Sequence, residues 1–312
     1  MWTSSPQAPA RRPANSSLTA QARTAAMAVL LALGGCAQQA TAPASPAAPP
    51  LEAFTSASDW NLQLRQWAGT PVILLGEQHD AAAHQQWQAA TIGELSRLQR
   101  LAAVVLEMAP AGGSTEGLAR DAGEAQVRQA LRWQEKDWAW QRYRGVVMAA
   151  VQAGVPVLGG NLPRERMQAA MGDARFDAHL PAAGWQLQRE AIRDGHCGLL
   201  PEAQWTPMAR IQLARDESMA QTVRVAAARL RRDGQSVLLV SGRGHSRADV
   251  GVPTWLGADL PYKVAVARAP AEQGVLQFAP DWWQVLPAAP GADHCAQLRA
   301  QWQRPAVQAG KP

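Results

Sequence analysis

The stretch Val72-Ile73-Leu74-Leu75-Gly76-Glu77-Gln78-His79-Asp80 decides the fold. Its first four residues form an apolar run without polar alternation, as in a strand buried on both faces of a parallel sheet. After a glycine the chain turns polar. The pattern recurs where Leu101 to Leu106 runs into Glu107-Met108-Ala109-Pro110 and where Val155-Pro156-Val157-Leu158 runs into Gly159-Gly160-Asn161-Leu162-Pro163-Arg164. It recurs again where Ser236 to Val240 runs into Ser241-Gly242-Arg243-Gly244-His245-Ser246, and Val264-Ala265-Val266 is a fifth run. Helix-forming stretches at 80–100, 124–133, 137–153, 163–171, 181–194 and 205–232 separate these runs. Such alternation predicts an α/β fold, a mostly parallel central sheet flanked by helices. The long helical interval before the fourth strand predicts a small inserted helical subdomain at about 172–232.

In open parallel sheets the carboxyl ends of the strands border one crevice, where ligands bind. Glu77, His79, Glu107, Asn161, Arg243 and His245 all follow strand runs and are expected to share it. Each has an ordinary reading by itself: a glutamate after a strand suits the first turn of a helix, and a histidine suits a surface. Two glutamates and two histidines at strand ends together suggest chemistry. Glu77, His79, Glu107 and His245 are candidate ligands of a divalent metal, and Glu77, His79 and His245 candidate acid–base groups. Arg215 and Asp216, inside the long helical stretch, read as a solvated helix face. Gly242-Arg243-Gly244-His245 lacks the third glycine of a dinucleotide fingerprint, and no P-loop, GxSxG or HExxH occurs.

The N-terminus reads as an export signal. Arg11, Arg12 and Arg23 form a positive region before the apolar run 25–33, which is too short for a bilayer core that needs about 20 residues. The run ends in Leu33-Gly34-Gly35-Cys36, the pattern of a bacterial lipobox with Cys36 as the lipidated residue. A Pro/Ala-rich tether over 36–54 follows, leaving 55–312 as the folded domain. Ala37 after the cysteine favours outer-membrane sorting over inner-membrane retention. The expectation is a lipid-anchored, periplasm-facing domain at the bacterial outer membrane.

Composition agrees with a chain that folds: of its 312 residues, 47% are hydrophobic and 18% charged. The pI of about 9.6 hints at nucleic acid. Without 1–35, however, the 30 basic residues fall to 27 against 25 acidic, or +2, so no strong attraction to phosphate remains. With Cys36 lipidated, Cys197 and Cys295 form an even pair in an oxidising compartment and read as a disulfide that staples the C-terminal tail. Each follows a histidine, so a His/Cys metal site is the competing reading; neither pair is a CxxC. Trp133, Trp138, Trp140 and Tyr143 lie together, at spacings that suit core packing or a flat aromatic ligand.

Several of these segments, in this order, resemble the ChaN-like lipoproteins of the Tiki, TraB and erythromycin-esterase-like superfamily. They are Leu75-Gly76-Glu77-Gln78-His79, Leu106-Glu107, Trp140 to Tyr143, Asn161-Leu162-Pro163-Arg164, Gly195-His196-Cys197-Gly198, Ala214-Arg215-Asp216 and Gly242-Arg243-Gly244-His245. The resemblance covers about 60–260 and implies haem binding in iron uptake, with a tyrosine as iron ligand and haem held between two subunits. Tyr143 and Tyr262 are the tyrosines of this chain, Tyr143 being the first candidate, with Arg144 or Arg164 for the propionates. Relatives with metal-dependent peptidase or esterase chemistry imply the alternative, a hydrolase using Glu77, His79 and His245.

Overall fold

The structure is a computed structural model that describes residues 57–67, 69–270, 278–288 and 294–303. The signal, Cys36 and the whole of the 36–54 tether lie outside the described residues. Among those described, no helix is long and apolar enough to cross a membrane.

Six strands form one sheet: β1 (Val72–Glu77), β2 (Leu101–Pro110), β3 (Val157–Asn161), β4 (Ser236–Gly242), β5 (Tyr262–Arg268) and β6 (Trp282–Val285). Their order is β3-β2-β4-β1-β5-β6, and every pairing is parallel. All five expected strands are present. The third is displaced to Val157–Asn161, because Gly159 and Gly160 continue the strand instead of turning it. A side chain on Gly160 would meet Val105 Cγ1 at 2.7 Å, so close packing of the chain selects glycine there. The sixth strand carries no apolar run: it is a four-residue edge strand with alternating burial.

The helices are α1 (Ala57–Gln66), α2 (Ala82–Arg97), α3 (Glu124–Ala130), α4 (Trp140–Ala153), α5 (Arg164–Gly172), α6 (Ala182–Gly195), α7 (Trp205–Arg229) and α8 (His294–Gln303). Successive strand residues face opposite layers, and both layers are apolar. Ile73, Leu75, Val104, Leu106, Leu238 and Val240 pack in one core with residues of α1, α2 and α4. Val72, Leu74, Val105, Val237 and Leu239 pack in the other with Met219, Ala220 and Val223 of α7. The second half of α7 therefore belongs to the sheet's own layer. The remainder of the helical interval has a small cluster of its own, including Leu162, Phe176, Leu180 and Leu213.

Cys197 is bonded to Cys295, 98 positions away in sequence, with Cα atoms 5.6 Å apart. This joins the segment after α6 to α8. His196 is committed elsewhere: its ring Nδ1 meets the carbonyl of Ile192 at 2.7 Å.

Candidate functional site

The strand order places β4 between β2 and β1, so their carboxyl ends are neighbours. Glu77 pairs in register with Gly242, and the Gly242 N–H donates to Glu107 Oε2 at 2.7 Å. The two glutamates point to opposite faces. Glu77 turns towards α2 and α4, where Gln85 donates to Oε2 at 2.5 Å and the Tyr143 hydroxyl donates to Oε1 at 2.7 Å. Glu107 turns towards α7, where Arg215 Nη2 donates to Oε1 at 2.5 Å. Arg215 also donates through Nε to Asn161 Oδ1 at 2.9 Å, which ties the end of β3 into the site.

The histidines bridge the two faces. His79 has Nδ1 2.9 Å from Glu77 Oε1 and 3.2 Å from the Tyr143 hydroxyl, and Nε2 3.8 Å from Glu107 Oε2. It passes over Gly242, where a Cβ would lie 2.7 Å from His79 Nε2; only glycine leaves room for the ring. His245 has Nε2 3.4 Å from Glu107 Oε1 and Nδ1 2.5 Å from Asp216 Oδ1. The two Gly-x-x-His segments thus meet on one carboxylate. Arg243 joins through its backbone, whose N–H donates to the Glu77 carbonyl at 3.0 Å, and its side chain is half-buried.

The cluster is nearly sealed. Glu77, Glu107 and Asp216 are buried, and only His79, whose side chain is 15% exposed, reaches the mouth. Burial disfavours the charged form of His245, but Glu107 and Asp216 outweigh it and push the imidazole up to about 9. Burial likewise opposes ionisation of Glu107, yet His245, His79 and Arg215 hold it well below the usual carboxylate range. Burial, then the Glu77 carboxylate, pushes the Tyr143 phenol well above its ordinary value. The arrangement therefore stores protons: Tyr143 is a neutral donor, Glu107 a carboxylate and His245 an imidazolium near neutral pH.

The four expected metal ligands meet in this geometry. Glu77, His79, Glu107 and His245 do converge, but as a hydrogen-bonded cluster whose carboxylates are already committed to Arg215, Gly242, Tyr143 and Gln85. Among the described residues, no group of three or more His, Cys, Asp or Glu is placed to hold a metal ion.

The two tyrosines expected as iron ligands lie in different parts of the domain. Tyr143 is fully buried because it sits on the apolar stripe of α4 with Trp140, Val146, Val147 and Ala150, and its hydroxyl is spent on Glu77. Tyr262 begins β5 beside Val72, at the amino edge of the sheet, about 16 Å from the level of Glu77 at 3.3 Å per residue. Arg144 and Arg164 are surface groups flanking the 133–143 segment, paired with Glu124 at 2.7 Å and Asp137 at 3.1 Å.

Asp216, Gln85 and the buried role of Arg215 escape a reading that takes 215–216 as solvated. A signal was present: Ala209, Leu213, Asp216, Ala220, Val223 and Ala227 recur at three- and four-residue steps, so Asp216 occupies a slot in an apolar stripe.

No curated protein sequence matches the chain. Among solved structures, ChaN of Campylobacter jejuni, described with cofacial haem binding, aligns over 72% of this chain and 90% of its own. It is 23% identical with a TM-score of 0.54, a likeness of fold. An erythromycin esterase EreC mutant in its open conformation is 14% identical, covering 69% of this chain and 74% of its own at a TM-score of 0.42. The type III effector HopBA1 is 11% identical, covering 77% and 99% at 0.41. A family model described as haem-binding uptake, Tiki superfamily, ChaN matches residues 63–256, which takes in all six strand-end residues of the crevice; the chain belongs to that family.

Proposed function

We propose that the chain binds haem and serves in its uptake as a lipid-anchored protein of the outer membrane. The observation that carries the reading is the family match over 63–256. Haem needs an apolar aromatic surface with cations at its edge for the two propionates. The outer surface of the 133–144 segment supplies the cations, and its buried indoles lie directly beneath. Arg144 and Arg164 flank it, and a shallow groove of about 320 Å³ beside it is lined by Arg128, Arg132 and Trp133. The Arg144–Glu124 and Arg164–Asp137 pairs are partly exposed, and surface pairs contribute only about 0–1 kcal/mol, so propionates can displace their carboxylates at little cost. When bound, haem brings its iron as cargo, and this chain's part is to hold the porphyrin. A second copy of the chain is the proposed partner across the ligand.

Anchoring rests on Leu33-Gly34-Gly35-Cys36 and the tether behind it. Several acyl chains on one cysteine hold a domain firmly where one chain binds only marginally. Titrating the purified domain with ferric haem should give a saturable absorbance change, and fractionating cells should place the full chain in outer membranes through Cys36. A linear, non-saturating titration overturns the haem reading. Unchanged membrane recovery of Cys36→Ser overturns the anchor alone.

A further inference from the structure

Packing accounts for a tyrosine in the core; it does not account for a carboxylate beneath it. Tyr143 is fully buried, and so is Glu77, to which it donates at 2.7 Å. Burying a carboxylate is costly, and a phenylalanine with an apolar partner would fill the same space without that cost. The pair has a chemical use. Removing one electron from a phenol makes its O–H strongly acidic, so oxidation is feasible when a base already holds the proton. A base within about 2.6–3.2 Å meets that requirement.

The surrounding rings supply a route for the electron. The Trp138 ring lies 5.8 Å from that of Tyr143 and 4.8 Å from that of His79. Trp133 lies 6.3 Å from Tyr143 on its other side and 5.1 Å from Trp140. Indole is the side chain closest to a phenol in ease of one-electron oxidation, and centroid spacings of this kind are direct ring contacts. Trp133 and Trp138 are the members nearest solvent, and Trp133 lines the surface groove.

We propose that Tyr143 is a redox-active tyrosine, oxidised by one electron through Trp133 or Trp138 while its proton passes to Glu77. In the step the Tyr143 O–H bond breaks. The electron goes through the neighbouring indole to a one-electron oxidant at the surface, the proton goes to Glu77 Oε1, and a neutral phenoxyl radical remains beside a protonated Glu77. The biological oxidant rests on the haem reading: bound haem would supply a one-electron oxidant of the required class, and Trp133 or Trp138 would pass the electron out of the shielded site. The redox site itself does not depend on that reading.

The test uses the haem-free domain, so failure of haem binding and failure of this proposal are distinguishable. The protein is illuminated with tris(bipyridine)ruthenium and persulfate, frozen, and read by electron paramagnetic resonance. With only two tyrosines in the chain, the assignment is clean. A tyrosyl signal should persist in Tyr262→Phe, where Tyr143 is the sole tyrosine, and vanish in Tyr143→Phe. Glu77→Gln should cut its yield several-fold. The Tyr262→Phe arm leaves the core intact and keeps the test valid if a core variant folds poorly. Loss of the signal in Tyr262→Phe, or a yield unchanged in a folded Glu77→Gln, overturns the proposal.

Discussion

His245 faces Glu107 across 3.4 Å, Nε2 to Oε1, with both side chains buried and 138 residues apart in sequence. Glu107 is also the acceptor for Arg215, so one carboxylate holds β2, α7 and the turn after β4 together. Removing Arg215 leaves Glu107 buried without its one permanent cation. Arg215→Ala should destabilise the domain by about 3–5 kcal/mol, the usual cost of breaking a buried pair from one side. Urea unfolding measures this; a loss below about 1 kcal/mol would mean that the histidines carry the carboxylate alone.

The same contact predicts a pH dependence of opposite sign to that of a salt-bridged acid. His245 is pushed up to about 9 in the folded chain, above its ordinary value of 6.5. Its contribution is therefore fully present below about 6.5 and lost as pH rises through 9, amounting to up to about 3 kcal/mol. Glu107, held below its ordinary value, contributes above that value and loses its contribution in acid. Urea midpoints should fall between pH 7 and 10, and His245→Gln should flatten that slope. A midpoint that is constant to pH 10 in the parent chain contradicts the assignment.

Much of this site was legible, for reasons that residue type and position explain. Glu77 and Glu107 announce themselves because a polar residue directly after a doubly buried strand must emerge at the carboxyl edge. Their adjacency was not legible, since the insertion of β4 between β1 and β2 is set by pairings between distant segments. Asp216 was hidden by its neighbours: Arg215 and Glu217 make the triplet look solvated, although Asp216 alone shares the stripe with Leu213 and Ala220. Tyr143 showed the converse. Its company of tryptophans suggested a ligand platform, whereas its place on the buried stripe of α4 fixes it in the core against Glu77. Strand β6 carried too short an apolar signal to register.

The Cys197–Cys295 bond closes a long loop and fastens α8, whose buried apolar anchor is Leu298. Loops of this length are valued at about 4.7 kcal/mol by chain entropy, and losing a native disulfide commonly costs about 2–5 kcal/mol. The Cys197→Ser/Cys295→Ser variant should melt correspondingly lower, with proteolysis beginning in the C-terminal segment. Equal melting temperatures for parent and variant would show that Leu298 suffices.

Haem is proposed to bind on the surface around 133–144, outside the sealed proton-holding cluster. The most direct measurement compares ferric haem titrations of the parent domain, Tyr143→Phe and Arg144→Ala/Arg164→Ala. The parent and folded Tyr143→Phe, whose phenol is committed to Glu77, should both bind saturably. Binding should be at least about tenfold weaker without the two arginines, since charge-assisted hydrogen bonds contribute about 1.5–3 kcal/mol. Loss of binding in folded Tyr143→Phe together with full affinity in the arginine variant would contradict this placement.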